Sequence, residues 1–390
     1  MALALFSFAC APNDADPIGS PVFNGTTPTG ESVEPPITTL PPPDVDALQV
    51  PTEFFTIQEA VDAAQPGDLV LIDPGVYTEE ISISSPDIVV RGRDREAVFI
   101  DGVHSLATGI TIRGDGVAIE NLTVRNYTLD AVAIGDEMLA DAPPVDGVRV
   151  EYVTTSNTGR HGIVARHATN VEVVQAWTSG HGGAGVSIEN CPPCRTLIRD
   201  SMSEFSARGF AFVGTDTTAH LVTSTSRNNR VGVVIEDGEM QTVGTTVAGT
   251  LLLNNGFSTT PQINPLNDHP YGTGIHVSGT AGVQLIRNRL AGNIRTAILL
   301  GSNPLAADQS LTAPIDIVLD DNSIDAHPEG DVFDVGAGQV WAPWTIDTIP
   351  YVNGPVPTGI VGMLNPDGEE PIPAGPVIAP DLEAITTPTV

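Results

Sequence analysis

The sequence predicts an all-β fold, a right-handed parallel β-helix built as a solenoid, with one short capping helix at its N-terminal end. Two observations carry that prediction. First, a glycine or alanine followed by an apolar, a free and a second apolar position recurs at Gly109, Ala131, Gly162, Gly185, Gly209, Gly232, Gly274 and Ala297. Five of the seven spacings lie within one residue of 23; the two longer ones contain the segments 135–146 and 254–272, rich in Pro, Asp or Asn. Second, all sixteen positions flanking the free one are apolar, from Ile110/Ile112 through Phe210/Phe212 to Ile298/Leu300. Alternation of period two means strands with these side chains on one face. Coils that stack strands ~4.8 Å apart bury each apolar pair on the next. An antiparallel sandwich also alternates, but its turns hold no fixed register of this kind.

The elements follow in chain order. Residues 1–10 are an apolar segment ending in Cys10, and residues 11–53 are a Pro/Thr-rich spacer read as disordered. Thr56-Ile57-Gln58-Glu59 is a capping box, and Ile57, Ala60, Val61 and Ala64 fall on one helical face, predicting a short helix over 57–64. Pro66-Gly67-Asp68 ends it, and Leu69–Ile72 is a buried strand. The β-helix is expected over 54–335, a C-terminal cap over 336–364 and a disordered tail over 365–390. A second strand per coil is expected at 148–153, 171–174, 283–286 and 315–319. The asparagine pairs Asn126/Asn157 and Asn228/Asn293 are read as stabilising amide ladders. Trp341 and Trp344 are read as plugs for the open end of the solenoid, or as a sugar-stacking platform.

Composition removes several function classes. The 390 residues include 48 acidic and 16 basic ones, for a net charge of −32, and every basic residue is arginine. Such a surface repels nucleic acid, which needs clustered Lys/Arg, and anionic lipid headgroups. The three cysteines are Cys10, Cys191 and Cys194. Cys191-Pro192-Pro193-Cys194 is expected to form a disulfide in an exported chain. It lacks the strand-then-helix setting of a redox motif and the second ligand pair of a zinc site. The run Phe8-Ala9-Cys10 resembles the end of a bacterial lipoprotein signal, which implies lipidation of Cys10; plain secretion and a chance likeness are the alternatives. The expected location is extracellular or cell-surface.

The segment Phe55–Asp68 with Pro74-Gly75-Val76-Tyr77 resembles the N-terminal cap of bacterial right-handed parallel β-helix repeat proteins of the pectate-lyase-like superfamily. Coils such as Gly185-Val186-Ser187-Ile188-Glu189-Asn190 resemble its repeats, and the likeness covers about residues 54–335. The resemblance implies the fold and a groove that handles polysaccharide. Lysine-based lyase chemistry is excluded because lysine is absent. Of the polygalacturonase-like motifs only Gly180-His181-Gly182 is present, and Asp320-Asp321 falls on the wrong side of it. Asp268-His269-Pro270 holds the residue types of the alginate-epimerase motif in another order.

The densest polar constellation is Arg160, His161, Arg166, His167, His181, Glu189 and Arg208. His161, Arg160, Arg208 and His181 are the catalytic candidates, since a base beside guanidinium groups could act on a uronate. His161 and Arg208 are expected on turns, where substitution costs little stability. Arg166 and Glu189 occupy one outward offset on neighbouring coils and are expected to form an exposed pair. With Asp268, His269 and Tyr271 of the 254–272 insertion, which also holds Asn264 and Asn267, they are the substrate-binding candidates. No metal site is expected, although Asn267 and Asp268 could offer oxygens to Ca2+. The plainer alternative makes the whole constellation stacked turn residues. The sequence therefore points to a monomeric surface β-helix that binds an extracellular polysaccharide or cell-wall glycan without catalysis. The alternatives are a polysaccharide lyase or uronate epimerase, or a purely structural or adhesive surface protein.

Overall fold

The computed structural model describes residues 47–135, 143–191, 193–256, 271–301 and 317–325, together with Pro314, His327, Pro328 and the strands Val332–Asp334 and Val352–Asn353. Cys10, Asp268, His269, Asn264, Asn267, Trp341 and Trp344 lie outside the described residues.

Among the described residues each coil lays down three short strands, one in each of three long parallel sheets, and a two-stranded parallel sheet pairs Val145–Asp146 with Ala168–Thr169. Sheet A has eleven strands from Leu48–Val50 to Val318–Asp320, and sheet B has ten from Gly75–Tyr77 to Ser323–Ile324. Sheet C has eleven, from Ile81–Ile83 to Val352–Asn353. The predicted repeat is sheet C. Ile163 is in register with Val132 and Val186, and the same column continues through Phe210, Val233, Ile275 and Ile298. The register survives both long insertions because the apolar pairs, not the turn lengths, fix it. All sixteen apolar positions are at most 1% exposed. The predicted second strand is sheet A; sheet B was not foreseen.

The corner from sheet A to sheet B is turned by one residue with a left-handed backbone. It is Asn121 (φ 54), Tyr152 (φ 53), Gln175 (φ 48), Asp200 (φ 52) and Thr223 (φ 46) in successive coils. Only Gly249, two coils on from Asp200, meets this demand with glycine. The capping helix runs Ile57–Ala63 and closes the first coil with Ile57, Ala60 and Val61. The Thr56 hydroxyl accepts from the Glu59 N–H, and the Glu59 carboxylate accepts from the Thr56 N–H. The Glu79 carboxylate adds two acceptors, for the N–H groups of Ile57 and Gln58 at 3.1 Å each. Strand pairing begins at Leu48, where Leu48–Val50 lies beside Val70–Ile72.

The interior is apolar along sheets A and C, but not along sheet B. There the inward column reads Ile100, Val124, Thr155, Thr178, Ser203, Ser226, Leu252, Leu290. The polar stretch continues into the B-to-C corner as the Ser206 hydroxyl and the Asn229 and Asn255 amides, all fully buried. The asparagines form a ladder: the Asn229 N–H donates to Asn255 Oδ1 and the Asn255 N–H to Asn293 Oδ1, each at 3.1 Å. The expected partner of Asn293 was Asn228; the column instead holds Asn229, one residue on, because Asn228 (φ 55) makes the left-handed turn. Asn157 does reach Asn126, at 3.4 Å.

Candidate functional site

The polar constellation centres on the outward side of sheet C. In the strand Ile163–Arg166 the residues Ile163 and Ala165 face the core, so Val164 and Arg166 face out. The next strands put Glu189 beside Arg166, then Val213 and Glu236 in the same row. Arg208 begins its strand, in register with Ala184 and Val231. His161, just before Gly162, comes up against these groups from the B-to-C turn.

The charges pair. Arg166 Nε lies 2.8 Å from Glu189 Oε2, and Arg166 Nη1 lies 3.5 Å from Asp130 Oδ2. Asp130 Oδ1 accepts the His161 N–H at 3.0 Å, and Glu189 Oε1 accepts the Ser187 hydroxyl at 2.6 Å. Arg208 Nη1 lies 3.6 Å from Glu236 Oε1. The expectation of an exposed Arg166–Glu189 pair is corrected: their side chains are 10% and 14% exposed, held by Asp130 and Ser187 as well as by each other. Losing one partner of such a pair costs on the order of 3–5 kcal/mol, far more than a surface ion pair contributes. His161 does sit at a turn, but the turn setting of Arg208 and the low cost expected at both are corrected. Arg208 lies in a strand, and the two side chains are 6% and 16% exposed.

His161 is neutral and its tautomer is fixed by its neighbours. Burial, then the nearby Arg208, Arg166 and Arg160, hold its pKa well below the ordinary histidine value. Nδ1 accepts the Ala184 N–H at 3.0 Å, so the ring proton sits on Nε2, 3.6 Å from Glu189 Oε1. Neither nitrogen has a free lone pair to take a proton from a substrate. Glu236 is pushed up to about 7, chiefly by burial and also by Glu189 and Asp237, against the pull of Arg208.

The other candidates separate. Arg160 is exposed at the rim of the B-to-C turn. His181 is fully buried inside the solenoid, with Thr155 Oγ1 3.0 Å from Nε2 and Thr158 Oγ1 2.7 Å from Nδ1. Burial holds it down to about 3. It belongs to the interior hydroxyl column and not to the outward cluster. His167 (φ 47) makes a left-handed turn residue after Arg166. Tyr271 lies under the Arg230 guanidinium, 5.7 Å from it, farther along the same rim. Cys191 and Cys194 form the expected disulfide, two residues beyond Glu189. Among the described residues no three or more His, Cys, Asp or Glu side chains converge as metal ligands, and no helix is long and apolar enough to cross a membrane.

Sequence reasoning missed Asp130 and Glu236, although the repeat offset could have found both. Asp130 precedes Ala131 as His161 precedes Gly162, and Glu236 follows Gly232 by the four residues that separate Glu189 from Gly185.

No protein-family model and no curated protein matches the sequence. Solved structures match it in shape. The enzymatically active domain of tailspike protein 2 of bacteriophage CBA120 superposes with a TM-score of 0.58 at 10% identity, over 82% of this chain and 52% of that one. A pectate lyase matches at 13% identity and a TM-score of 0.45, over 84% of this chain and 78% of its own. The A-module of a mannuronan C-5 epimerase of Azotobacter vinelandii matches at 14% and 0.45, over 82% and 95%. The parallel sheets, the capping helix and the likeness in shape to the tailspike domain show that the chain has the right-handed parallel β-helix fold.

Proposed function

We propose that this protein is an exported β-helix that binds a polysaccharide or cell-wall glycan along the outward side of sheet C, without turning it over. The observation that carries the binding half is the cluster of Arg166, Glu189, Arg208 and Glu236 on successive coils. Paired guanidinium and carboxylate groups, held on rigid strands, present donors and acceptors at the spacing of stacked coils. The observation that favours binding over catalysis is His161, whose two ring nitrogens are already committed to Ala184 and Glu189. Export is supported by the Cys191–Cys194 disulfide, since such bonds persist in oxidising compartments. Likenesses to glycan-acting proteins agree with this reading but rest on fold.

A glycan array with the purified protein tests binding, and incubation with pectate and alginate tests turnover. The expected result is retention of at least one glycan, reduced tenfold or more in Arg208→Ala, with no ultraviolet-absorbing unsaturated ends and no change in uronate epimer ratio. Unsaturated ends lost in His161→Ala would replace this reading with a lyase, and an array without any retained glycan would end it.

A further inference from the structure

We infer that the outer face of sheet B carries a second glycan-binding site, in which a pyranose ring stacks on Trp177. It lies on a different face from the sheet C cluster and shares no residue with it. Flanking the inward column of sheet B are two outward rows. One runs Phe99, Thr123, Thr154, Trp177, and the other Asp101, Arg125, Ser156, Ser179, Glu204, Arg227. Phe99 and Trp177 are three coils apart, about 14 Å at the ~4.8 Å spacing of paired strands. Arg125 folds back over the Phe99 ring, 4.2 Å from its centroid. The short side chains of Thr154, Ser156 and Ser179 therefore form the floor of a trough between the two rings. Phe99, Trp177 and these three floor residues are all partly exposed.

Each end of the trough carries an arginine held by a carboxylate. Arg125 Nε lies 2.8 Å from Asp101 Oδ2, and Arg227 Nε lies 2.9 Å from Glu204 Oε2. Both arginine side chains are 32% exposed, against 9% for Asp101 and 6% for Glu204, so donor groups reach the surface at both ends. Glu204 Oε1 also accepts the Trp177 indole N–H at 3.0 Å, which holds the ring in place on its strand. This set suits a sugar. A pyranose presents C–H groups that pack on the negative face of an aromatic ring, and hydroxyls that both donate and accept. Trp177 supplies the ring, and the floor hydroxyls and the arginines supply the polar partners. A proline-rich peptide also packs on aromatic grooves, but the indole N–H that its carbonyls would use is already given to Glu204. The strands hold all of these groups in register before a ligand arrives, so little has to be ordered on binding.

The test is a calorimetric titration of the full chain with cellohexaose, mannohexaose and hexagalacturonic acid, and with a proline-rich peptide. At least one hexasaccharide should bind, and Trp177→Leu should weaken it by about tenfold or more. Trp177→Phe, which keeps a flat ring but loses the indole N–H, should stay within about threefold of the wild type. Leucine and phenylalanine both fill the position with apolar volume, so the difference between the two variants reads stacking and not folding. Equal losses in both variants would overturn the inference. So would binding of the peptide alone, lost in Trp177→Leu. A hexasaccharide bound equally by the wild type and both Trp177 variants, and lost in Arg208→Ala, would overturn the inference while leaving the sheet C reading intact. Binding of no probe would overturn both.

Discussion

Two strips of the same interior, sheet C and sheet B, are built on opposite chemistry. Along sheet C the inward column is Ile110, Val132, Ile163, Val186, Phe210, Val233, Ile275 and Ile298, a stack in which any coil could exchange with its neighbour. Along sheet B the column starts apolar at Ile100 and Val124, changes to Thr155, Thr178, Ser203 and Ser226, and returns to Leu252 and Leu290. The difference bears on the repeat glycines Gly162, Gly185 and Gly209, which face the hydroxyl stretch. A Cβ on Gly185 would stand 2.1 Å from Ser203 Oγ and 2.2 Å from Thr178 Oγ1, and one on Gly162 would stand 2.5 Å from Thr155 Oγ1. The glycines of sheet C let the hydroxyl column of sheet B close across the corner. An apolar stack tolerates exchange, whereas a polar one requires specific partners.

That contrast can be broken most strongly in the apolar strip. Phe210→Ala empties a fully buried ring site and should cost about 3–5 kcal/mol, read as a shift of the denaturant midpoint with an unchanged slope. A shift under about 1 kcal/mol would mean that the stacked column is not the source of stability.

The next effect is acid sensitivity from two buried histidines, His181 in the polar strip and His276 on a sheet C strand. His181 is held down to about 3 and His276 down to about 4, both by burial, against an unfolded value near 6.5. Both stay neutral in the fold while the unfolded chain takes up protons. Stability should therefore fall as pH drops below about 6.5 and level off near 3–4, by about 1.4 kcal/mol per pH unit for each group. Glu236 works in the opposite direction. Raised from 4.5 to about 7, it keeps its proton in the fold where the unfolded chain has lost it, so its contribution declines as pH rises from 4.5 to 7. Glu236→Gln should flatten that part of the profile and leave the acid limb unchanged.

Thr155→Val sharpens the comparison directly. It removes the hydroxyl facing His181 Nε2 without changing volume, and should cost about 1–3 kcal/mol for the ring nitrogen left without it. Ile163→Val, one strand away in the apolar column, should cost only about 0.5–1.5 kcal/mol although it removes a methyl group. Equal costs would erase the distinction between the strips. The smallest effect belongs outside: Asn157→Gly, which keeps the left-handed backbone (φ 54) at the exposed amide pair, should stay within about 0.5 kcal/mol by thermal melting.

The candidate site was half legible for the same reason. Arg166 and Glu189 could be placed side by side because they share an offset from Gly162 and Gly185, and the structure puts them 2.8 Å apart. His181 misled, because a histidine between glycines reads as a turn residue available for chemistry. Its inward rotation depends on Thr155 and Thr158, which come from the preceding coil.

The sequence by itself determined the solenoid, its 23-residue period, the capping helix over Ile57–Ala63 and the Cys191–Cys194 bond, because each of these is written in local periodicity or spacing. Only the tertiary structure decided which polar residues turn inward, that a third sheet closes each coil, and that the charges on sheet C pair with one another. Those outcomes depend on contacts between residues 23 to 38 positions apart, such as Arg166 with Glu189 and Asn255 with Asn293. A polar side chain can satisfy its hydrogen bonds on either side of a strand, so its own sequence leaves the direction open until the neighbouring coil supplies the partner.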